Sequence, residues 1–188
     1  MSCLPQNSTN LCSSRGQRTR LWALVFLAFP LTIEGAGMLG YRVNLTPSEP
    51  LGLWRIVALH RPAVVGDVVF ICPPQTAVMQ KARHRGYLHA GLCPGRYAPL
   101  IKTVAAIEGA RLLIGGTVMI DGRVLEHSDV RRTDGAGRLL SAFSGFSVPA
   151  GEVFVHSPFP ASFDSRYFGP IPASGILGRA EEVLTYAP

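Results

Sequence analysis

At 188 residues the chain has room for one modest domain and a short accessory segment. With 47% hydrophobic and only 16% charged residues it is excluded from the intrinsically disordered class, and 20 Gly with 15 Pro favour many turns and short strands over a helical bundle. The net charge of +6 rests on sixteen Arg and two Lys, with no nucleic-acid recognition motif, so the expected partner is anionic membrane lipid and no nucleic acid.

Residues 1–20 are polar and end in Arg15-Gly-Gln-Arg18-Thr-Arg20. The apolar run Leu21–Ile33 follows, is interrupted by Glu34, and continues as Gly35-Ala-Gly-Met-Leu-Gly40. A helical span needs about 20 residues. The segment 21–40 reads as a membrane anchor with its Arg cluster cytoplasmic or as a signal segment with Gly35-Ala36-Gly37 as a cleavage region, in preference to a buried core helix. Both readings place the 42–188 domain outside the cytoplasmic membrane, in the periplasm, and residues 1–20 form a cytoplasmic tail.

Short β-rich runs broken by turn residues fill the rest of the chain. Trp54–Leu59 reads as a strand, as does Val68–Cys72, stopped by Pro73-Pro74. Residues 73–98 are polar, basic and rich in Gly and His, an insertion of loop with a short helix. Leu100–Ile107 is the next strand, and Thr117–Leu125 is a hairpin, because Asp121-Gly122 suits a turn with positive φ at both positions. Residues 126–142 read as loop, and strands at Glu152–His156 and Gly175–Ala180 complete a mostly β, antiparallel set. No alternation of long helices with strands supports a doubly wound α/β fold.

Cys72 and Cys93 lie after the apolar run, in an oxidising space where a disulfide persists, while Cys3 and Cys12 lie before it. A bridge would contribute about 3 kcal/mol in the chain-entropy model; two free thiols are the alternative. Neither cysteine has a Cys-x-x-Cys partner, so no metal site is expected, and no cofactor is called for.

Lys102 sits among apolar β-formers in 99–107. Burial disfavours the ammonium, lowers its pKa and makes a lysine a general base; simple strand alternation would instead point it to solvent. Ser48 lies between Pro47 and Pro50, whose fixed φ can hold a hydroxyl in one orientation, though an ordinary turn would look the same. In 161–172, Asp164 and Arg166 can pair, with Ser162 and Ser165 nearby; a plain polar turn is again the alternative.

Taken in order, four blocks resemble the signal peptidase I family of serine–lysine peptidases, and among them the conjugative-transfer, TraF-type pilin-processing branch. They are Asn44-x-Thr46-x-Ser48-x-Pro50-x-Gly52-x-Trp54, Gly66-Asp67-Val-Val-Phe70, Lys102-Thr-Val-Ala-Ala-Ile-Glu-Gly109 and Ser162-Phe-Asp164-Ser165-Arg166-Tyr-Phe-Gly169-Pro170. The resemblance implies a signal-peptidase-like antiparallel β-fold behind an N-terminal membrane-spanning helix. It implies Ser48 as nucleophile, Lys102 as general base, and Thr46 with the Ser48 backbone N–H as oxyanion hole. Ser162 would orient the lysine amine, and Asp164 and Arg166 would form a supporting pair, with Asp164 needed for activity. The substrate would be a pilin or other membrane-embedded precursor, cleaved through an acyl-enzyme and in this branch sometimes cyclised. Glu49 stands where general signal peptidases commonly carry Met, and the last block lacks their usual lead-in, which favours a narrow-substrate relative over a general signal peptidase. LexA-like autoproteases share the dyad but carry a soluble region before it. The non-enzyme alternative is a periplasmic interaction module of a conjugation apparatus.

Overall fold

The computed structural model describes residues 37–187, with Trp22 and Gly35. The chain divides into two compact units, Met1–Tyr41 and Arg42–Pro188. Among the described residues no helix is long and apolar enough to cross a membrane. Most of the 21–40 segment, where the N-terminal spanning helix is expected, lies outside the described residues.

The second unit is mostly β. Its large sheet has seven strands in the order β1-β2-β11-β3-β5-β9-β10. These are β1 (Tyr41–Asn44), β2 (Leu51–Val57), β3 (Val68–Ile71), β5 (Leu100–Ile107), β9 (Glu152–His156), β10 (Ile171–Pro172) and β11 (Ile176–Tyr186). From β2 through β10 every pairing in this sheet is antiparallel. A smaller antiparallel sheet joins β6 (Leu112–Ile114), β7 (Val118–Ile120) and β8 (Arg123–Val124). Its β7–β8 turn is Asp121-Gly122, with φ of 50° and 79°, the positive pair that the Asp-Gly dipeptide favours.

Apolar β-formers place β3 and β5 at the centre. Val69, Ile71 and Val104 there are fully buried, and they join Val153, Val155 and Ile171 in the largest core cluster. A second cluster gathers Ala106, Leu112, Val118, Val148 and Phe154 beside the small sheet, and a third gathers Trp54, Phe70, Ile101 and Ala180. The register of β5 on β9 shifts between Val104 and Ala106, a bulge that lets one strand serve two clusters. Gly52 has φ +127°, and a Cβ there would lie 2.2 Å from the Leu184 carbonyl oxygen. Only glycine lets β2 lie against β11 directly after the Ser48 loop.

The 73–98 insertion holds α1 (Ala77–His84), β4 (Ala90–Cys93) and a 3₁₀ turn at Pro94–Arg96. Thr76 caps α1 by accepting from the Met79 N–H at 3.3 Å, and Lys81, Arg83 and His84 sit in its last turn, where cations favour the helix dipole. Met79 and Ala82 bury its apolar face in the main core. A Cys72–Cys93 disulfide ties the insertion to the end of β3.

The strands at 41–44, 90–93, 112–114 and 171–172 are not expected from the sequence, and β11 runs to Tyr186, well past the expected stop at Ala180. The expected strand 54–59 is shifted to Leu51–Val57. Register shifts at Ile176/Gly178 and Glu182/Leu184 break the simple alternation of β11, which is why its second half does not read as strand.

Candidate functional site

The loop between β1 and β2 is built around Asn44, which is buried. Its Nδ2 donates to the carbonyl oxygens of Thr46, Glu49 and Pro50 at 2.9, 2.9 and 3.0 Å. Its Oδ1 accepts from the Thr46 N–H at 3.0 Å and from the Thr46 hydroxyl at 2.8 Å. Trp54 Nε1 donates to the Pro50 carbonyl at 2.9 Å and closes the loop onto β2. Ser48 is presented from this frame, its hydroxyl 3.5 Å from that of Thr46.

Lys102 lies in β5 opposite Val69 of β3, and only 3% of it is exposed. Burial pushes its ammonium down from 10.5 to about 8; the charges of Asp164 and Glu49 partly restore it, and Arg166 opposes them. Ser48 and Lys102 line one groove of about 440 Å³, together with Thr46 and Ser162. Phe70, Ile101 and Phe159 contribute apolar wall, and Tyr87 and His89 of the insertion form another side.

Asp164 and Arg166 are fully buried and are not among the residues lining that groove. Asp164 caps α2 (Ser165–Phe168) by accepting from the Arg166 N–H at 3.2 Å. Its carboxylate takes a two-pronged bond from Arg166, Nε at 2.8 Å and Nη2 at 2.7 Å. The rest of the guanidinium donates to the carbonyls of Asp129 at 2.9 Å and Ser162 at 3.2 Å, holding two loops to one point.

A link not anticipated from the sequence joins this pair to the Ser48 loop. The Ser157 N–H donates to Asp164 Oδ2 at 3.2 Å, and the Ser157 hydroxyl donates to the Ser48 carbonyl. Arg166, Asp164, Ser157 and Ser48 therefore form one connected path across residues 109 apart in sequence. His156, also unforeseen, is buried beside Asp164; burial lowers its pKa, and its Nε2 lies 3.2 Å from the His127 carbonyl. Its alternation within β9 marks it only as a strand residue. Asn44, by contrast, carried a usable signal, since an Asn two residues before a Thr suits an Asx-type loop.

Two hydroxyls sit differently from their implied roles. The Thr46 proton is engaged by Asn44 Oδ1, so donation to an oxyanion requires that bond to swing away. Among the described residues Ser162 Oγ is buried with no hydrogen-bond partner, although it borders the same groove as Lys102. Glu49, next to Ser48, also has a buried oxygen with no partner among the described residues, and burial raises its carboxyl to about 7 against the opposing pull of Lys102.

Residues 17–185 match the family model described as signal peptidase, peptidase S26. A probable conjugal transfer protein TraF of Sinorhizobium fredii is 62% identical over 157 residues, 84% of each chain. A plasmid transfer protein TraF of Escherichia coli is 37% identical over 179 residues, covering 92% of this chain and 99% of its own. A crystal structure of a signal peptidase I from Enterococcus faecalis superposes with a TM-score of 0.39 at 19% identity, over 63% of this chain and 97% of that one.

Proposed function

The chain belongs to the signal peptidase (peptidase S26) family, in its TraF-type branch, and we propose that it is a membrane-associated serine endopeptidase of conjugative transfer, acting on a pilin or other membrane-embedded precursor. The observation that carries the reading is the placement of Ser48 and of a buried lysine of depressed pKa in the walls of one groove. An amine with a pKa of about 8 is neutral in roughly one molecule in ten at pH 7, enough to accept a proton.

Neutral Lys102 Nζ takes the proton of Ser48 Oγ as the oxygen attacks the scissile carbonyl. The oxyanion receives the Ser48 backbone N–H and, once it leaves Asn44, the Thr46 hydroxyl. Such donors contribute about 3–4 kcal/mol each in related chemistry. The C–N bond breaks, the Lys102 ammonium protonates the departing amine, and an ester remains on Ser48. Water or the precursor's own amino terminus resolves that ester, the second route giving a cyclic product. Asp164 and Arg166 act from behind, through Ser157, to hold the nucleophile loop. The 21–40 segment holds the 42–188 domain on the periplasmic face of the cytoplasmic membrane, where the precursor's cleavage site emerges.

The test is precursor processing by cells carrying Ser48→Ala, Lys102→Ala or Lys102→Arg. All three should accumulate full-length precursor, the last because a guanidinium stays protonated. Normal processing by Lys102→Arg would sink the general-base role, and normal processing by Ser48→Ala would sink the peptidase reading.

A further inference from the structure

Next to the Ser48 groove lies a second cavity of about 220 Å³. The two adjoin, with Tyr87, Ala161, Ser162 and Phe163 lining both. The rest of its lining is Tyr167, Leu140, Pro160, Asp134 and Gly135, with exposed Arg131 and Thr133. Its volume falls below the roughly 300 Å³ at which pockets begin to hold a separate small molecule. It suits one side chain of something already seated in the groove.

Three aromatic rings of the lining are packed on one another. The Phe163 and Tyr167 rings stack at 5.9 Å between centroids with 5° between planes, and Tyr87 tilts against Phe163 at 5.0 Å. The polar tips of these rings are already engaged. The Tyr87 hydroxyl donates to Asp134 Oδ2, and the Tyr167 hydroxyl accepts from the Arg131 N–H at 3.1 Å. The Arg138 guanidinium lies 5.5 Å from the Tyr87 ring centre, and the Arg85 side chain donates to the Leu139 carbonyl at 2.7 Å, so the insertion is fastened to the loop that forms the far wall. What remains for a ligand is the part of these rings left uncovered, with Leu140, Pro160 and Ala161, beside the exposed Arg131 and Thr133. Ser162, common to both linings, is buried, and among the described residues its Oγ has no hydrogen-bond partner.

We propose that this cavity is a substrate subsite that takes one apolar, aromatic-sized side chain of the precursor while the scissile bond lies at Ser48. The proposal rests on the peptidase reading above. It makes the disulfide-tied insertion, through Tyr87, a specificity element shared by both cavities.

Gly135 borders the cavity and can take a side chain without strain. Its φ lies outside the left-handed region, and a Cβ there would meet nothing within 4 Å. The experiment compares full-length wild type, Gly135→Phe and Thr133→Trp in detergent, each cleaving a synthetic peptide library randomised around the scissile bond and read by mass spectrometry. Labelling of Ser48 by a small fluorophosphonate is measured in parallel. Wild type should select Phe, Tyr or Leu at one position, and both variants should lose that selection by roughly tenfold, with other positions and the labelling unchanged. Identical profiles in wild type and both variants, or a wild type with no aromatic or aliphatic selection, would overturn the subsite. A wild type that neither labels at Ser48 nor cleaves any peptide contradicts the peptidase reading itself, and the subsite falls with it.

Discussion

Replacing Lys102 by Met should abolish turnover and stabilise the fold. Met keeps the length and flexibility of the side chain without its charge. Folded, the Lys102 ammonium titrates at about 8; unfolded, at the ordinary 10.5. That gap corresponds to about 3 kcal/mol. The sign follows from proton binding. Between pH 8 and 10.5 the unfolded chain holds the proton that the folded chain has released, so stability rises with pH across that window. Below pH 8 the native state bears the full cost of a buried ammonium, and above 10.5 it bears none. Lys102→Met should therefore be more stable than wild type by about 3 kcal/mol at pH 7, with the gain shrinking towards zero near pH 11. Urea unfolding followed by the fluorescence of buried Trp54 at the two pH values measures it. A variant no more stable than wild type at pH 7, or a gain that is the same at both pH values, would refute the reasoning.

Asp164→Ala leaves the Arg166 guanidinium buried without its carboxylate and should cost about 3–5 kcal/mol in urea unfolding, with loss of processing; Asp164→Asn should be milder in stability yet still slow. Ser157→Ala frees the Ser48 carbonyl and should lower the rate of Ser48 acylation while costing about 1–3 kcal/mol; an acylation rate equal to wild type would show that the Ser157 tie does not position the nucleophile. Cys72 and Cys93 are 21 residues apart, and replacing both by Ser should cost about 3 kcal/mol while Ser48 still labels. Complete loss of labelling in a folded double variant would assign the bridge a part in the chemistry.

The central strands were legible because they are short apolar runs ended by strong signals, Pro73-Pro74 after β3 and Glu108-Gly109 after β5. The Asp121-Gly122 hairpin was legible for the same local reason. Strands β1 and β10 were not, since residues 41–44 and 171–172 are short edge strands, each bordered on one side alone, and neither holds a run of β-formers long enough to read. At the site, Lys102 could be singled out because a lysine in an apolar strand is unusual. That it is buried rather than turned to solvent depends on what packs over β5, which no local pattern records. Ser157 and His156 were invisible because their importance lies in contacts with residues far away in sequence, the Ser48 carbonyl and the His127 carbonyl. The unpartnered Ser162 hydroxyl is likewise a property of packing, and the sequence offers only its position in the last block.

The central claim is that Lys102 is the base that activates Ser48. The rate of Ser48 labelling by a fluorophosphonate, measured from pH 5 to pH 10 with wild type and Lys102→Arg, tests it most directly. The account predicts a wild-type rate that rises through a single midpoint near about 8 and reaches a plateau, with Lys102→Arg unlabelled throughout. A wild-type rate independent of pH, or a Lys102→Arg variant that labels as fast as wild type, would contradict it.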